Sequence, residues 1–248
     1  MSWLSDAVAA LTGRYELRLA VTAADVEAAQ RLRYEVFNVE LNEGLAASEA
    51  SGLDIDVFDA VCDHLLVIDR PSGAVVGTYR LQTGASAARH LGYYSAREFG
   101  FEPFESARGE IVELGRACVA AAHRNQVVLG VLWKGIAAYA RDHAARYLVG
   151  CSSLTSQDEG VGLAVFDAIA PMSWVEPQWR TLPRPAWRCL RPPEAVPPVP
   201  VPRLMAAYLA IGAKICGEPA IDREFKTIDF LTWLDLAALP ERVRKKYL

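Results

Sequence analysis

Glu113 and Arg116 stand three residues apart inside an apolar run, Gly109-Glu-Ile-Val-Glu-Leu-Gly-Arg-Ala-Cys-Val119, that reads as a buried strand. Charge inside such a strand is costly unless it is paired or has chemical work to do. A regular strand would send the two side chains to opposite faces of its sheet. Gly115 between them offers an escape, because glycine in a strand often marks a bulge that re-aims its neighbours. The stretch therefore reads as the centre of an active site.

Four more residues could join them: Arg33, Asp56, Asp59 and Arg80. For any one alone the plainer reading is surface charge or a structural ion pair. Arg80, however, lies at the end of a buried strand. Asp56 and Asp59 are spaced to share one face of a helical turn, ready for an ammonium or an arginine. Two carboxylates without a neighbouring His or Asn ladder make weak metal ligands, so no metal site is expected. Other mechanisms find no support, since the chain has no GxSxG elbow, Walker loop, HExxH or GxGxxG after a strand. The four histidines lack ligand spacing, and the five cysteines include no CxxC pair. Cys118, flanked by small apolar residues, reads as a buried inert thiol.

The elements that must hold these groups follow from periodicity. Residues 15–21 alternate as a first strand, and Thr22 with Asp25 forms a capping box for a helix. That helix has a stripe of Val26, Ala29, Leu32, Val36 and Val39, with Arg33 and Phe37 four apart on a neighbouring face. Strands at 64–68 and 74–81 flank a Pro- and Gly-containing turn and make a hairpin. Residues 84–108 read as an irregular, mobile connection anchored by Tyr93, Tyr94, Phe99, Phe101 and Phe104. After the central strand come a helix over about 124–143, a strand at 147–151 and a helix at 158–170. A short helix at 204–213, a final strand at 228–234 and a basic tail at 242–246 end the chain. Six of the 14 prolines fall between Pro192 and Pro202, so 191–203 is a stiff, extended connection to a C-terminal element packed on the same domain.

The chain has 248 residues, 52% of them hydrophobic and 23% charged. That is enough for one α/β domain over 1–248 with a mixed sheet, preceded by an N-terminal extension at 1–14. A net charge of −4 argues against a nucleic-acid partner. No signal peptide or membrane span is read, and the scattered cysteines suit a reducing compartment. A cytoplasmic protein is expected, with the basic tail at 242–246 as the residues that would favour transient contact at the inner membrane surface.

The segments Arg33-Tyr-Glu-Val-Phe37, Asp56-Val-Phe-Asp59, Gly77-Thr-Tyr-Arg80 and Glu113-Leu-Gly-Arg116 follow the order and approximate spacing of acyl-homoserine-lactone autoinducer synthases, within the GNAT N-acyltransferase superfamily. The pattern resembles still more the ornithine lipid (lyso-ornithine lipid) synthases, also called hemolysin-like. That branch accounts for Leu132-Trp-Lys-Gly-Ile136, Gly150-Cys-Ser-Ser-Leu154 and the stretch Tyr208 to Asp222.

The resemblance implies a mostly antiparallel, twisted GNAT-like sheet with a bulged central strand, flanked by helices. It also implies transfer of a fatty acyl group, often 3-hydroxylated, from acyl carrier protein to the α-amine of ornithine, giving lyso-ornithine lipid. Glu113 would be the general base and Arg116 would hold it. Arg33, Asp56, Asp59 and Arg80 would form a substrate-binding polar wall, with Phe37 helping to close the site. Backbone N–H groups of the bulged strand would meet the thioester oxyanion.

Two departures refine this expectation. Acetyl-coenzyme A members carry a glycine-rich turn for pyrophosphate before the long helix, whereas this chain has His123-Arg-Asn-Gln-Val-Val-Leu-Gly-Val131. The loss suits a phosphopantetheine arm on a carrier protein, with Arg124 and Lys134 as candidate contacts and no tightly bound cofactor. The tryptophan that autoinducer synthases place soon after the Phe37 position is missing, which disfavours a homoserine-lactone product. The alternatives are an N-acyl amino acid synthase for another amine such as glycine, an acyl-homoserine-lactone synthase, and a non-catalytic lipid- or membrane-binding relative.

Overall fold

The hairpin read from the sequence seeds the sheet. The computed structural model describes residues 13–194, 196–197 and 199–247. Most of the extension expected at 1–14, and positions 195 and 198 of the Pro-rich connection, lie outside the described residues. Strands β2 (Asp63–Asp69) and β3 (Ala74–Thr83) pair antiparallel, with β1 (Tyr15–Leu19) on the outer edge of β2. The central strand is β4 (Ile111–Val119), and β5 is Tyr147–Leu154. Three C-terminal strands follow: β6 (Lys214–Ile215), β7 (Ala220–Asp222) and β8 (Thr227–Asp235). They give an eight-stranded sheet in the order β1-β2-β3-β4-β5-β8-β6, with β7 also on β8. Only β4 and β5 run parallel among these pairs, as the crossover helix between them requires.

That helix, α3 (Gln126–Asp142), starts where Asn125 Oδ1 accepts from the amides of Val127 at 3.0 Å and Val128 at 3.1 Å. Its stripe of Val128, Leu132, Ile136 and Ala140 packs on Leu17, Leu65, Leu81 and Val112. Gly135 permits the close approach: a Cβ there would stand 2.7 Å from Leu65 Cδ2. Helix α4 (Glu159–Ser173), capped by Asp158, covers Leu154, Ile228 and Phe230. The remaining helices are α1 (Ala23–Tyr34), α2 (Gly84–Arg89), α5 (Arg203–Ala210) and α6 (Glu241–Tyr247). The basic tail thus falls in α6. Among the described residues, no helix is long and apolar enough to cross a membrane.

Two expectations about the opposite face need correction. The capping box at Thr22 is present, but α1 runs into a π-helical turn, Glu35–Glu40. There Leu41 N–H donates to Val36 O at 3.0 Å, one residue further back than an α-helix allows. The wider turn slips the apolar stripe, so Val36 and Phe37 are buried while Val39 is 67% exposed. The 84–108 connection is irregular as expected, but it is packed rather than loose. It is built from α2 and short 3₁₀ turns, and Tyr93, Phe99, Phe101 and Phe104 are buried against Trp233 and Val149.

Candidate active site

Three arginines and three aspartates close a ring of alternating charge on the face of the sheet away from α3. Asp56 caps a 3₁₀ turn, Val57–Ala60, with Asp59 at its third position, so both carboxylates lie on one side of that turn. Arg33 meets Asp54 at 2.8 Å and Asp59 at 2.7 Å. Arg80 meets Asp59 at 3.0 Å and Asp56 at 2.6 Å. Arg116 meets Asp56 at 2.9 Å and Asp54 at 3.2 Å, which completes the circuit. Gln30 adds a hydrogen bond to Asp59 at 3.0 Å. Burial works against the Asp59 carboxylate, yet Arg33, Arg80 and Gln30 outweigh it and hold it below the usual range. Asp54 was not singled out from the sequence, although Asp54-Ile-Asp56 shows the two-residue spacing of an extended lead into the turn.

The bulge that brings Arg116 into this ring is real, but its pivot is not Gly115. Arg80 pairs with Gly115 and Thr78 with Cys118, so Arg116 and Ala117 together oppose Tyr79. Arg116 itself takes a left-handed backbone, with φ 51°. For a residue with a Cβ this conformation costs about 1–2 kcal/mol. The guanidinium then lies over the rings of Tyr94, at 4.8 Å, and Phe225, at 4.3 Å.

Glu113 is aimed at the same face but is not held by Arg116, contrary to expectation. Its oxygens accept from the amides of Tyr94 at 2.7 Å and Ser95 at 2.8 Å. The carboxylate is 4% exposed. Burial pushes its pKa above the usual value, and the Ser95 and Tyr94 donors pull it back only in part.

Beside Glu113 the sheet forks. Strands β4 and β5 pair only at Ile111–Tyr147, Val112–Leu148 and Glu113–Val149, and then separate. Gly150 stands at the fork, where a Cβ would meet Leu114 O at 2.1 Å. A cavity of about 970 Å³ opens through the gap. On one side it is lined by Glu113, Arg116, Arg80, Tyr94 and Phe37, and on the other by Leu114, Leu132, Trp133, Leu204 and Tyr208. Helix α5 therefore supplies part of the apolar wall, and the Tyr79 and Tyr208 hydroxyls meet at its base.

The residues expected to form the polar wall divide in two. Arg80 and Phe37 line the cavity, whereas Arg33, Asp56 and Asp59 do not. Arg33 is 0% exposed, so these three support Arg80 and Arg116 from behind. Arg124 lines the cavity while paired with Glu40 at 2.7 Å, and half-buried Lys134 is not part of the lining. Sequence reasoning missed four acids beyond β5: Glu43, Glu98, Asp222 and Asp229, of which Glu43, Asp222 and Asp229 line the cavity. Asp229 carried the same signal as Glu113, a carboxylate in an apolar strand (Ile228-Asp-Phe-Leu231).

Known proteins agree with this architecture. An acetyltransferase (GNAT) domain model matches residues 32–134. The L-ornithine N(alpha)-acyltransferase of Rhizobium meliloti (strain 1021) is 35% identical over 248 residues, covering 94% of this chain and 83% of that protein. The Brucella abortus (strain 2308) protein of the same name is 34% identical, covering 95% and 88%. Among solved structures, the N-acyl amino acid synthase FeeM from uncultured soil microbes superposes with a TM-score of 0.56 at 12% identity, over 95% of this chain and 96% of that one. The acyl-homoserine-lactone synthase LasI gives 0.52 at 12% identity, over 90% of both chains. These two likenesses concern the fold. Matched along nearly its whole length to the curated relatives, and built on the forked sheet just described, the chain belongs to their family within the GNAT acyltransferases.

Proposed function

We propose that this enzyme moves a fatty acyl group from the phosphopantetheine thioester of acyl carrier protein to the α-amine of ornithine, giving lyso-ornithine lipid. The observation that carries the reading is the forked cavity, which puts a buried carboxylate with a raised pKa between a charged chamber and an apolar one. The relatives named for L-ornithine N(alpha)-acylation support ornithine as the acceptor. In this reading Glu113, directly or through a water, takes a proton from the acceptor ammonium, whose lone pair then attacks the thioester carbon. The C–N bond forms, the C–S bond breaks, and the leaving thiolate takes up the second proton that the nitrogen sheds as it becomes the amide. Amides on the β4 edge past the fork face the developing oxyanion. Arg80 and Arg116, fixed by the ring, present positive charge to the acceptor carboxylate. The acyl chain extends towards α3 and α5, and Arg124 at the cavity approaches the carrier arm.

The test incubates purified protein with 3-hydroxyacyl carrier protein or the matching acyl-coenzyme A and a panel of amino acids, with products read by mass spectrometry. Acylornithine from the carrier donor is the expected product. Absence of any acylated amine would sink the enzyme reading, and preference for glycine would redirect it.

Two outcomes follow for kinetics. Glu113 must be ionised to act, and its folded pKa lies above the ordinary value of 4.5. Activity is therefore present above that raised pKa and is lost as pH falls through it. The acid limb of kcat/KM, which reports the free enzyme, is expected above 4.5, and a limb at or below 4.5 counts against the assignment. Ala207 on α5 lines the cavity. Ala207→Trp should shift preference towards shorter acyl donors, measured as kcat/KM across a chain-length series. An unchanged series would place the acyl chain elsewhere.

A further inference from the structure

Beyond β5, at and behind the cavity wall, lie carboxylates that no ion pair among the described residues reaches. Asp229 on β8 and Glu98, in the irregular segment before β4, approach Cys151 so that their ligand atoms lie within 4.8 Å of one another. Asp229 is 5% exposed and Glu98 1%. Asp229 Oδ1 and Glu98 Oε1 are buried without a hydrogen-bond partner. Asp229 lines the cavity, and so do Glu43 and Asp222 beside it. None of the ion pairs among the described residues reaches these four acids. Arg97, the next residue to Glu98, is exposed and turns to Glu224 at 3.6 Å. The contrast with the ring is sharp: there every carboxylate meets two guanidiniums, while here acids face one another.

Two carboxylates this close cannot both stay ionised in a buried site without a cation. Burial accordingly pushes Asp229 up to about 6 and Glu98 well above its ordinary value, each carboxylate raised further by neighbouring acids. The cluster connects to the reaction centre in short steps. Glu98 Oε2 is 3.8 Å from Cys151 Sγ, which is 3.5 Å from Ser95 Oγ, and the Ser95 amide donates to Glu113 at 2.8 Å. An acceptor whose reacting amine sits at Glu113 would therefore extend its side chain along Cys151 towards Asp229.

We propose that Asp229, backed by Glu98, binds the side-chain ammonium of a dibasic amino-acid acceptor and so makes the enzyme select diamino over monoamino acids. The proposal rests on the acceptor reading above and adds to it the residues that set the choice. A monoamino acid of the same length would leave Asp229 buried and unpaired, the condition under which polar sites discriminate most strongly.

The experiment compares kcat/KM for ornithine and for norvaline, which has the same carbon skeleton without the terminal ammonium. Wild type should favour ornithine by roughly 100-fold or more. In Asp229→Asn and, separately, Glu98→Gln, that ratio should fall at least about tenfold, chiefly through a higher KM for ornithine. The ratio is unaffected by the fraction of protein that folds. Ligand protection in a thermal melt provides a second readout: ornithine should raise the Tm of wild type more than norvaline, and this difference should disappear in the variants. Wild-type ratios and protection in both variants would overturn the proposal. So would saturable zinc binding to wild type that Asp229→Asn abolishes while the ratio stays fixed, since the cluster would then be a metal site. A wild type that acylates neither amine refutes the acceptor reading itself, whereas equal use of both refutes only the selectivity.

Discussion

Glu113→Gln is expected to lower kcat by about 10²–10⁴-fold, the usual contribution of a positioned general base. The amide keeps the shape of the side chain and one acceptor oxygen for the Tyr94 or Ser95 amide, while its NH₂ opposes the other. That mismatch costs about 1–3 kcal/mol. It is offset in part because a group disfavoured as a buried anion is replaced by a neutral one. The variant should therefore remain folded, with a native circular dichroism spectrum, and should still bind the acyl carrier donor. Turnover near wild type, with donor binding intact, would remove Glu113 from the proton path.

The largest loss of stability is expected from Asp54→Ala. Asp54 is 0% exposed and bridges Arg33 to Arg116. Removing it leaves Arg33 with Asp59 alone and Arg116 with Asp56 alone, so three buried guanidiniums share two carboxylates, and an uncompensated buried charge of this kind typically costs about 3–5 kcal/mol. Against a typical total of about 5–15 kcal/mol, this threatens the fold itself. Chemical denaturation should show the loss as a lower midpoint. The control is Glu27→Ala, which breaks an exposed i,i+4 pair with Arg31 at 2.8 Å. That change should stay within about 0.5 kcal/mol. Equal effects for the two variants would show that the ring contributes no more than a surface pair.

The elements that carry one strong local signal were legible in the sequence. The hairpin, the capped start of α1 and the strand holding Glu113 are fixed by turn residues, caps and apolar alternation within a few neighbours. So was the need to bring Glu113 and Arg116 to one face. Which residue would supply the bend was not legible, because Arg116 adopts φ 51° under the pull of two aspartates and two aromatic rings from distant segments. For the same reason the polar wall was misread. Arg33, Asp56 and Asp59 have the composition of a binding surface, and only their mutual distances reveal that they satisfy one another. The extent of β8 along β5 and the part α5 takes in the cavity are tertiary facts, set by pairings about 80 residues apart in the chain.

The ring also bears on how the chain reaches its native state. Its six charges come from α1, the 54–59 turn, β3 and β4. Each is adequately solvated in the unfolded chain, and none is adequately served in a collapsed state that lacks one of those segments. Compact intermediates with a missing or slipped β4 therefore bury unpaired charge and are penalised, while the apolar core alone would tolerate them. A register slip at the bulge would turn the Arg116 side chain out of the circuit. The ring thus serves as a checksum on assembly, penalising every arrangement in which the active-site strand is close to its place but not in it.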